Sequence, residues 1–120
     1  MVHSVQEHLG RVVIWCKRPD AIDLTEATEA EQQEFLKILK EVQTALTQAF
    51  QPDLFNYAFL GNKTRHLHCH VVPRYRSPRE FSGRTFIDSR WGQNYLTNPD
   101  FTATPEVLEA IKDKLKEVLR

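Results

Sequence analysis

Three segments of the chain have the apolar pattern of β-strands. The run from Arg11 to Cys16 is β-branched and aromatic, which predicts a strand that ends at the basic turn of residues 17–20. Residues 54–60 alternate imperfectly between apolar and polar side chains and predict a second strand. A turn over residues 61–64 leads into a third stretch that ends at Val72, so the last two strands should form an antiparallel hairpin.

Two other segments follow a helical period. Thr28 and Glu31 form the pattern of a capping box, and Pro52 ends the helix that starts there. Thr104 and Pro105 predict the start of a C-terminal helix, with threonine as the N-cap and proline in the first turn. Each helix carries one apolar stripe for core packing: Phe35, Ile38, Leu39, Val42, Leu46 and Ala49 in the first, and Val107, Leu108, Ile111, Leu115 and Val118 in the second.

The order of these elements is strand, helix, hairpin, loop, helix. It predicts an α+β fold in which a long helix packs on an antiparallel sheet and a C-terminal helix completes the domain. Residues 84–87 indicate one more short strand. Residues 1–8, a basic loop bracketed by Pro73 and Pro78, and residues 88–103 show little regular pattern.

Size and charge limit the classes of function. A chain of 120 residues suits a single domain, here 1–120, and the formal net charge of +0 gives no global field for binding a nucleic acid polymer or an acidic membrane. No apolar stretch approaches the length of a membrane span and no signal peptide pattern opens the sequence, so we expect a cytoplasmic protein. The two cysteines, Cys16 and Cys69, are expected to be buried free thiols.

Three of the five histidines occupy alternate positions in the third predicted strand. Side chains on a strand alternate between its two faces, so His66, His68 and His70 should present their imidazoles on one face. Leu67 and Cys69 then point into the core. Neighbouring imidazoles would lie roughly 6–7 Å apart along the strand, close enough to share one phosphate group or one metal ion.

This pattern has three interpretations. A half-exposed strand that carries histidine by chance is disfavoured, because strict alternation of three imidazoles is hard to obtain by chance. A zinc site would use the imidazoles as ligands, but the nearest acids, Asp53 and Glu80, are not at a regular ligand spacing. The third interpretation is attack by neutral imidazole on phosphorus, since histidine is a competent nucleophile near neutral pH. We favour the third, and expect no metal and no other cofactor.

The third interpretation gains support from a resemblance to the histidine-triad (HIT) family. Residues 66–72 match the family pattern His-φ-His-φ-His-φ-φ, where φ is apolar, and the Pro-Arg-Tyr of residues 73–75 also resembles that family. The apolar run after Gly10, then Asn56 and Gly61, keep the family's order and approximate spacing. The resemblance covers about residues 9–76. It implies a HIT-like fold, usually as a homodimer.

The resemblance also implies a nucleotide hydrolase or nucleotidyl transferase. Such an enzyme acts at the α-phosphate through a nucleotidyl-histidine intermediate, which water then cleaves. Candidate nucleotide substrates are dinucleoside polyphosphates and nucleoside phosphoramidates. The alternative is a nucleotide-binding regulatory module with little turnover, motivated by Arg11, since the family usually has histidine at this position. A metal-dependent hydrolase is a weaker third hypothesis.

Each histidine receives a role from the same resemblance. His68, in the middle, is the predicted nucleophile. His70 would contact the phosphate and, when protonated, assist departure of the leaving group. His66 would orient and support the other two, with a purely structural role as the alternative. His3 and His8 are expected to be exposed.

Four further residues are candidates for substrate binding. Asn56 offers a neutral amide donor to a phosphate oxygen, with a surface position in the hairpin as the alternative. Asn62 and Lys63 lie in the turn before the triad, where backbone N–H groups can bind phosphate, with a plain turn as the alternative. Arg11 can pair with phosphate or only cap its strand.

The segment after the triad is rich in arginine and aromatic residues and has no evident place in a small monomeric core. A sheet of this size also has at least one open edge, and open edges invite pairing. Together with the resemblance, these features predict a homodimer. Part of the segment Phe81–Tyr95 should pack near the partner or over the triad.

Overall fold

The computed structural model describes residues 1–119. These residues form the predicted α+β architecture, with antiparallel sheets, one long helix and a C-terminal helix. The strands are β1 (Val12–Trp15), β2 (Leu54–Ala58), β3 (His68–Arg74), β4 (Arg79–Phe81) and β5 (Arg84–Phe86), the α-helices are α1 (Glu29–Phe50) and α2 (Pro105–Val118), and two short 3₁₀ helices span Leu24–Glu26 and Pro99–Phe101.

Helix α1 begins and ends where the sequence predicts. The Thr28 hydroxyl accepts a hydrogen bond from the Glu31 amide, and the Glu31 carboxylate accepts one from the Thr28 amide, which completes the capping box. After Phe50 the chain turns through Gln51 in the left-handed conformation, with a φ of 47°, and Pro52 cannot continue the helix. Only the C-terminal half is deeply buried, through Ala45, Leu46 and Phe50.

A three-stranded antiparallel sheet in the order β1-β3-β2 forms the centre of the fold. Strand β3 is central, and its antiparallel pairing with β2 confirms the predicted hairpin. Trp15 pairs with His68 on one side of β3, and Asn56 pairs with Val72 on the other. Directly paired residues point to the same face of a sheet. Trp15, Asn56, His68 and His70 therefore share one face, called the triad face here.

The opposite face of the sheet packs on the two helices. Cys69 and Val71 are completely buried there, in one cluster with Leu46 of α1 and Ile111 of α2. Each large apolar side chain buried in this way stabilises the fold by roughly 1.5–3 kcal/mol. Cys69 is a buried free thiol, as predicted, whereas Cys16 is free but only half-buried.

Strands β4 and β5 form a tight hairpin, and the sequence predicts only the second of them. Ser82 and Gly83 connect them with φ values of 52° and 73°, and two positive φ angles are the mark of a type I′ turn. Phe81 packs edge-to-face on Phe50, with ring centroids 5.2 Å apart. The hairpin is thereby attached to the end of α1.

Residues 1–8, undecided from the sequence, fold against the sheet. Val2 bridges Val12 beside β1. Gln6 is buried: its side-chain nitrogen donates to the carbonyl of Arg11, and its side-chain oxygen accepts from the amide of Gly10. Gly10 has a φ of 89°, a conformation that favours glycine. This network fixes the residue that follows the glycine, Arg11.

Helix α2 starts at the predicted proline. The hydroxyl of Thr104 accepts from the amide of Val107, and Pro105 occupies the first turn. The helix buries Val107 and Ile111 and packs against α1. Within residues 1–119, no helix combines the length and the apolar character that crossing a membrane requires.

Candidate functional site

Two of the three alternating histidines lie within β3. His68 and His70 are on the triad face, with ring centroids 5.0 Å apart. His66 lies in a bend before the strand, where the amide of Leu67 donates to the carbonyl of Ala21. Since that amide is used by another segment, the strand starts only at His68. The predicted alternation thus holds for the middle and last histidines, and His66 joins them from the preceding bend.

The backbone carbonyl of His66 determines the tautomer of His68. Nδ1 of His68 lies 2.6 Å from that oxygen. A carbonyl only accepts, so Nδ1 carries the proton and Nε2 keeps a lone pair. The Trp15 ring stacks on the His68 ring with centroids 4.6 Å apart, and lies 5.5 Å from the His66 ring. The His68 ring is therefore held in position by one hydrogen bond and one aromatic contact, with the lone pair on Nε2.

Arg11 contacts His70 from the residue before β1. The arginine is 2% exposed; its Nη2 is 3.1 Å from Nδ1 of His70, and its Nη1 donates to the Thr97 hydroxyl at 2.9 Å. The Tyr95 ring covers the guanidinium at 5.0 Å. Burial and the charge of Arg11 lower the pKa of His70 to about 4. His70 is consequently neutral at neutral pH.

The imidazoles pack against one another and against other rings. His68 lies edge-on to His70, with 74° between the ring planes, and His3 is half-buried with its ring 5.9 Å from that of His70. The expectation of an exposed His3 is therefore wrong. In the part of the chain that the structure describes, no group of three His, Cys, Asp or Glu side chains is arranged to hold a metal ion.

A buried ionic cluster, formed by His8, Asn56, Arg74 and Asp88, closes one end of the triad face. Arg74, expected in a basic loop, ends β3 and is 2% exposed; its guanidinium donates to the Asp88 carboxylate at 2.7 and 3.1 Å and to Oδ1 of Asn56 at 2.6 Å. His8 is 1% exposed and lies 3.4 Å from Asp88, so the expectation that it is exposed is wrong. Burial lowers the pKa of His8 and favours its neutral form.

The ionic cluster attaches residues 88–97, called the cover segment here, to the triad face. The backbone carbonyls of Arg90 and Gln93 accept hydrogen bonds from Arg74. Tyr95 lies over the triad, its ring 6.5 Å from that of His70, which is one of the two places predicted for part of the segment Phe81–Tyr95. The sequence contains one signal for this arrangement: Asp88 is the only acid between residues 81 and 99.

An apolar cavity of about 530 Å³ opens beside His68, at the end of the sheet next to Trp15. It lies between the end of β1 and the N-terminal half of α1, where α1 is only partly covered. Trp15 and Phe59 are 37% and 38% exposed at its walls. Ligand pockets have this size and apolar character. The apolar lining includes Ile14, Trp15, Leu24, Phe35, Leu36 and Phe59.

The predicted binding residues lie at different distances from the triad. Asn56 is on the triad face, and since Oδ1 is occupied by Arg74, its NH₂ group is the part left to donate. Asn62 and Lys63 are exposed in the connection between β2 and β3. The structure thus brings Arg11 and Asn56 to the triad face and leaves the other two on the surface of a loop.

More than half of the chain matches a known domain profile. Residues 8–77 match the profile described as the HIT domain. The match contains the triad, Arg11 and Asn56, whereas the cover segment lies outside it. No curated protein matches the chain significantly.

Several solved structures share the fold. A hypothetical histidine triad nucleotide-binding protein from Sulfolobus tokodaii has a TM-score of 0.72 and 19% identity, over 98% of this chain and 74% of that one. A histidine triad protein from Bradyrhizobium japonicum has a TM-score of 0.67 and 23% identity, over 99% and 81%. A Hit-like protein from Bartonella henselae, described as involved in cell-cycle regulation, has a TM-score of 0.69 and 18% identity, over 97% and 76%. At these identities the likeness shows the fold.

Proposed function

This chain belongs to the HIT domain family, and from that membership and its site we propose that it is a nucleotide hydrolase or nucleotidyl transferase. The observation that carries the proposal is the tautomer of His68. Its Nδ1 proton is bound by the His66 carbonyl, so the lone pair of Nε2 is available for attack. Within residues 1–119, Nε2 of His68 makes no hydrogen bond that would occupy this lone pair.

The proposed reaction has two steps at one phosphorus. In the first, the Nε2 lone pair of His68 forms a bond to the α-phosphorus, the bond from phosphorus to the leaving group breaks, and its electron pair departs with the leaving group. The Nδ1–H remains on the ring, and the His66 carbonyl stabilises the positive charge that the ring acquires. In the second, a water oxygen attacks the phosphorus, the P–N bond breaks, its electron pair returns to Nε2, and a proton passes to solvent. A different acceptor in place of water gives transfer.

The apolar cavity is the proposed site for the nucleotide base. It opens next to His68, and partly exposed aromatic rings such as Trp15 and Phe59 can stack on a base. The Sulfolobus tokodaii relative is described as nucleotide-binding, which supports the same ligand class. Candidate substrates are dinucleoside polyphosphates and nucleoside phosphoramidates. Asn56 through its NH₂ group, and the loop at Asn62 and Lys63, are proposed to contact the phosphates.

Replacing His68 with alanine tests this function. Turnover of adenosine and guanosine polyphosphates and phosphoramidates should fall by roughly 10³-fold or more, the scale observed when a catalytic nucleophile is removed. Nucleotide binding measured by calorimetry should largely persist, because the other apolar side chains of the cavity lining, such as Trp15 and Phe59, remain. Rapid quenching of the wild type with substrate should yield a His68 peptide that carries the mass of the nucleotidyl group.

A control variant and a chelation experiment complete this test. Arg84→Ala, at an exposed position of β5, is the matched control and should retain wild-type turnover. A chelator should leave activity unchanged. Undiminished turnover by His68→Ala would remove the proposed nucleophile, and activity that is lost on chelation and restored by zinc would favour metal-dependent chemistry.

A regulatory module with little turnover is the second candidate. Its specific support is the packing of His68, which is 7% exposed and stacked under Trp15, so that substrate has restricted access to the ring. The Bartonella henselae relative is described as a protein involved in cell-cycle regulation. Tight nucleotide binding without turnover, across the whole substrate panel, would decide for this candidate.

A homodimer is also proposed, on the basis of β2. This strand forms one edge of the sheet and carries exposed apolar side chains, Leu54 and Tyr57, each 45% exposed. Such an edge invites pairing with a second copy. The aromatic segment no longer supports the dimer, because Phe81 and Tyr95 pack within their own chain.

Sedimentation at micromolar concentration checks the assembly. We expect one species of twice the 14.0 kDa chain mass. Tyr57→Lys should shift it toward the monomer, because lysine on an edge strand opposes pairing. Ile22→Lys, a change of a similarly exposed apolar residue outside the strands, is the control and should leave the dimer intact. A wild-type chain that sediments only at 14.0 kDa contradicts the proposal.

A further inference from the structure

Nδ1 of His70 is hydrogen-bonded to a group that can only act as a hydrogen-bond donor. The nearest polar partner of its Nδ1 is Nη2 of Arg11, at 3.1 Å. A guanidinium has five N–H donors, no acceptor, and stays protonated in proteins. Nδ1 of His70 must therefore accept this hydrogen bond, and the ring proton of the neutral imidazole lies on Nε2.

The two neighbouring imidazoles are thus held in opposite tautomers. His68 donates from Nδ1 to a carbonyl and exposes a lone pair at Nε2. His70 accepts at Nδ1 from a cation and exposes an N–H at Nε2. One ring can attack phosphorus, and the other can donate a hydrogen bond to an oxygen near it.

The surroundings of His70 disfavour a second proton. The titratable or charged groups that face it are Arg11 from the residue before β1, His68 from its own strand, His3 from the N-terminal segment and Tyr95 from the cover segment. None of them is an acid that could balance an imidazolium. The low pKa of His70, about 4, has burial and the charge of Arg11 as its main causes.

Arg11 is itself fixed in this position. Its guanidinium is buried, donates to Thr97 and lies under the Tyr95 ring. The backbone carbonyl of Arg11 accepts from the side chain of Gln6. Since the group is held on several sides, its direction toward His70 is a built feature of the fold and does not depend on a bound ligand.

We propose that Arg11 is a positioning residue that holds His70 as a neutral Nε2–H donor, and that the site therefore favours substrates whose leaving group is a phosphate over those whose leaving group is an amine. This inference rests on the proposed function and specifies its substrate class. The sequence suggests that Arg11 pairs with phosphate directly. In this proposal Arg11 acts through His70 instead.

The selectivity follows from where the electron pair goes. When His68 attacks a polyphosphate, the broken P–O bond leaves its electron pair on a phosphate oxygen, which is stable as an anion and needs only a hydrogen bond from Nε2–H of His70. When His68 attacks a phosphoramidate, the broken P–N bond leaves its electron pair on nitrogen, which must take up a proton. A neutral imidazole is too weak an acid to supply it, so the proton must come from solvent.

Nitrogen-15 spectra of the histidine side chains test the tautomer without any turnover. In the wild type, the His70 signals should show protonated Nε2 and unprotonated Nδ1, with a titration midpoint well below the ordinary value of 6.5. Arg11→Met should give mixed tautomers and move the midpoint toward 6.5, whereas Arg84→Met on β5 should not. Wild-type His70 with a protonated Nδ1, or with a midpoint near 6.5, would overturn the proposal. This arm needs only the wild type if the Arg11→Met protein does not fold.

Turnover tests the selectivity. With the same nucleoside, wild-type kcat/KM at neutral pH should be higher for the polyphosphate than for the phosphoramidate. In Arg11→Met or Arg11→Gln, the ratio of kcat/KM for the polyphosphate to that for the phosphoramidate should narrow by about tenfold or more as pH falls below 6.5. Without the Arg11 charge His70 takes up a proton more readily and can then act as an acid. A wild type that prefers the phosphoramidate overturns the selectivity. If no substrate is turned over, the proposed function and the selectivity both fail, while the spectra still decide the role of Arg11.

Discussion

The site around His68 and His70 has an open end beside Trp15 and a closed end beside Arg74. At the end near Trp15 the walls are apolar, large side chains are partly exposed, and a cavity of about 530 Å³ is open beside His68. At the end near Arg74 the charged side chains of Arg74 and Asp88 are almost completely buried, and Arg74 is hydrogen-bonded to Asp88, to the half-buried Asn56 and to the cover segment. One strand, β3, runs through both.

The two ends therefore differ in how readily their side chains can adapt to a ligand. Apolar walls can accept flat ligands with little directional demand, because the hydrophobic effect is non-directional. A buried ionic cluster has directional bonds and a large penalty for leaving any member unpaired, so it holds one arrangement. His68 and His70 lie between the two ends. His68 is held by the His66 carbonyl and Trp15 at the open end, and His70 by Arg11, which the cover segment holds through Thr97 and Tyr95.

Loss of Arg74 should strongly destabilise the fold at the closed end. Arg74→Met leaves the Asp88 carboxylate buried without its guanidinium, and removing one partner of a buried ion pair costs about 3–5 kcal/mol. The partly exposed pair of Arg18 with Glu31 is the control, and Arg18→Met should cost much less, because water screens a pair that stays in contact with solvent. Urea unfolding of both variants measures the difference. Equal losses would show that the closed end is no more rigid than the surface.

Truncation of Trp15 should weaken nucleotide binding at the open end. Trp15→Ala removes a wall of the cavity, and stacking of one base on an aromatic ring contributes about 1–3 kcal/mol. Affinity for a non-hydrolysable nucleotide, measured by calorimetry, should therefore fall by about 5- to 150-fold. Trp91→Ala is the control, because Trp91 packs under Arg76 in the cover segment. A similar loss in both variants would place the base elsewhere.

Acid should destabilise the fold through its histidines. The pKa values of His3, His8 and His70 are lowered in the fold, mainly by burial, so the unfolded chain binds more protons below its histidine pKa of 6.5. Stability should be level above that pH and fall as pH decreases from 6.5 toward 4. At about pH 5.5 the His70→Gln variant should lose about 1 kcal/mol less than the wild type. Unfolding free energies that rise on acidification would contradict this sign.

Local signals account for what the sequence predicts of the fold. The caps at Thr28 and Thr104, the stop at Pro52 and the alternation around His68 and His70 each depend on residues a few positions apart. These features specify both helices, the hairpin and the family resemblance. The same locality gives the predicted pair of imidazoles on one face.

Long-range polar contacts account for what the sequence does not predict. His8 and Asp88 are polar and therefore expected on the surface, but they meet in the interior across eighty positions. Arg11 is a candidate for substrate binding from its position alone, and its contact with His70 spans 59 positions. Neither contact has a period or a spacing in the sequence. Buried polar pairs of this kind are specified by the completed fold.

The hydrogen bond from Arg11 to Thr97 has a consequence for the order of folding. It closes a loop of 86 positions, and the bond between Glu7 and Ser89 closes one of 82. Loop closure of this length costs chain entropy before the contact returns any stabilisation, so such contacts form late and slow the search for the native state. The hairpin that carries His68 and His70 is local and can form early. A refolding chain should therefore acquire its imidazole pair before it acquires the arginine that sets the protonation of His70.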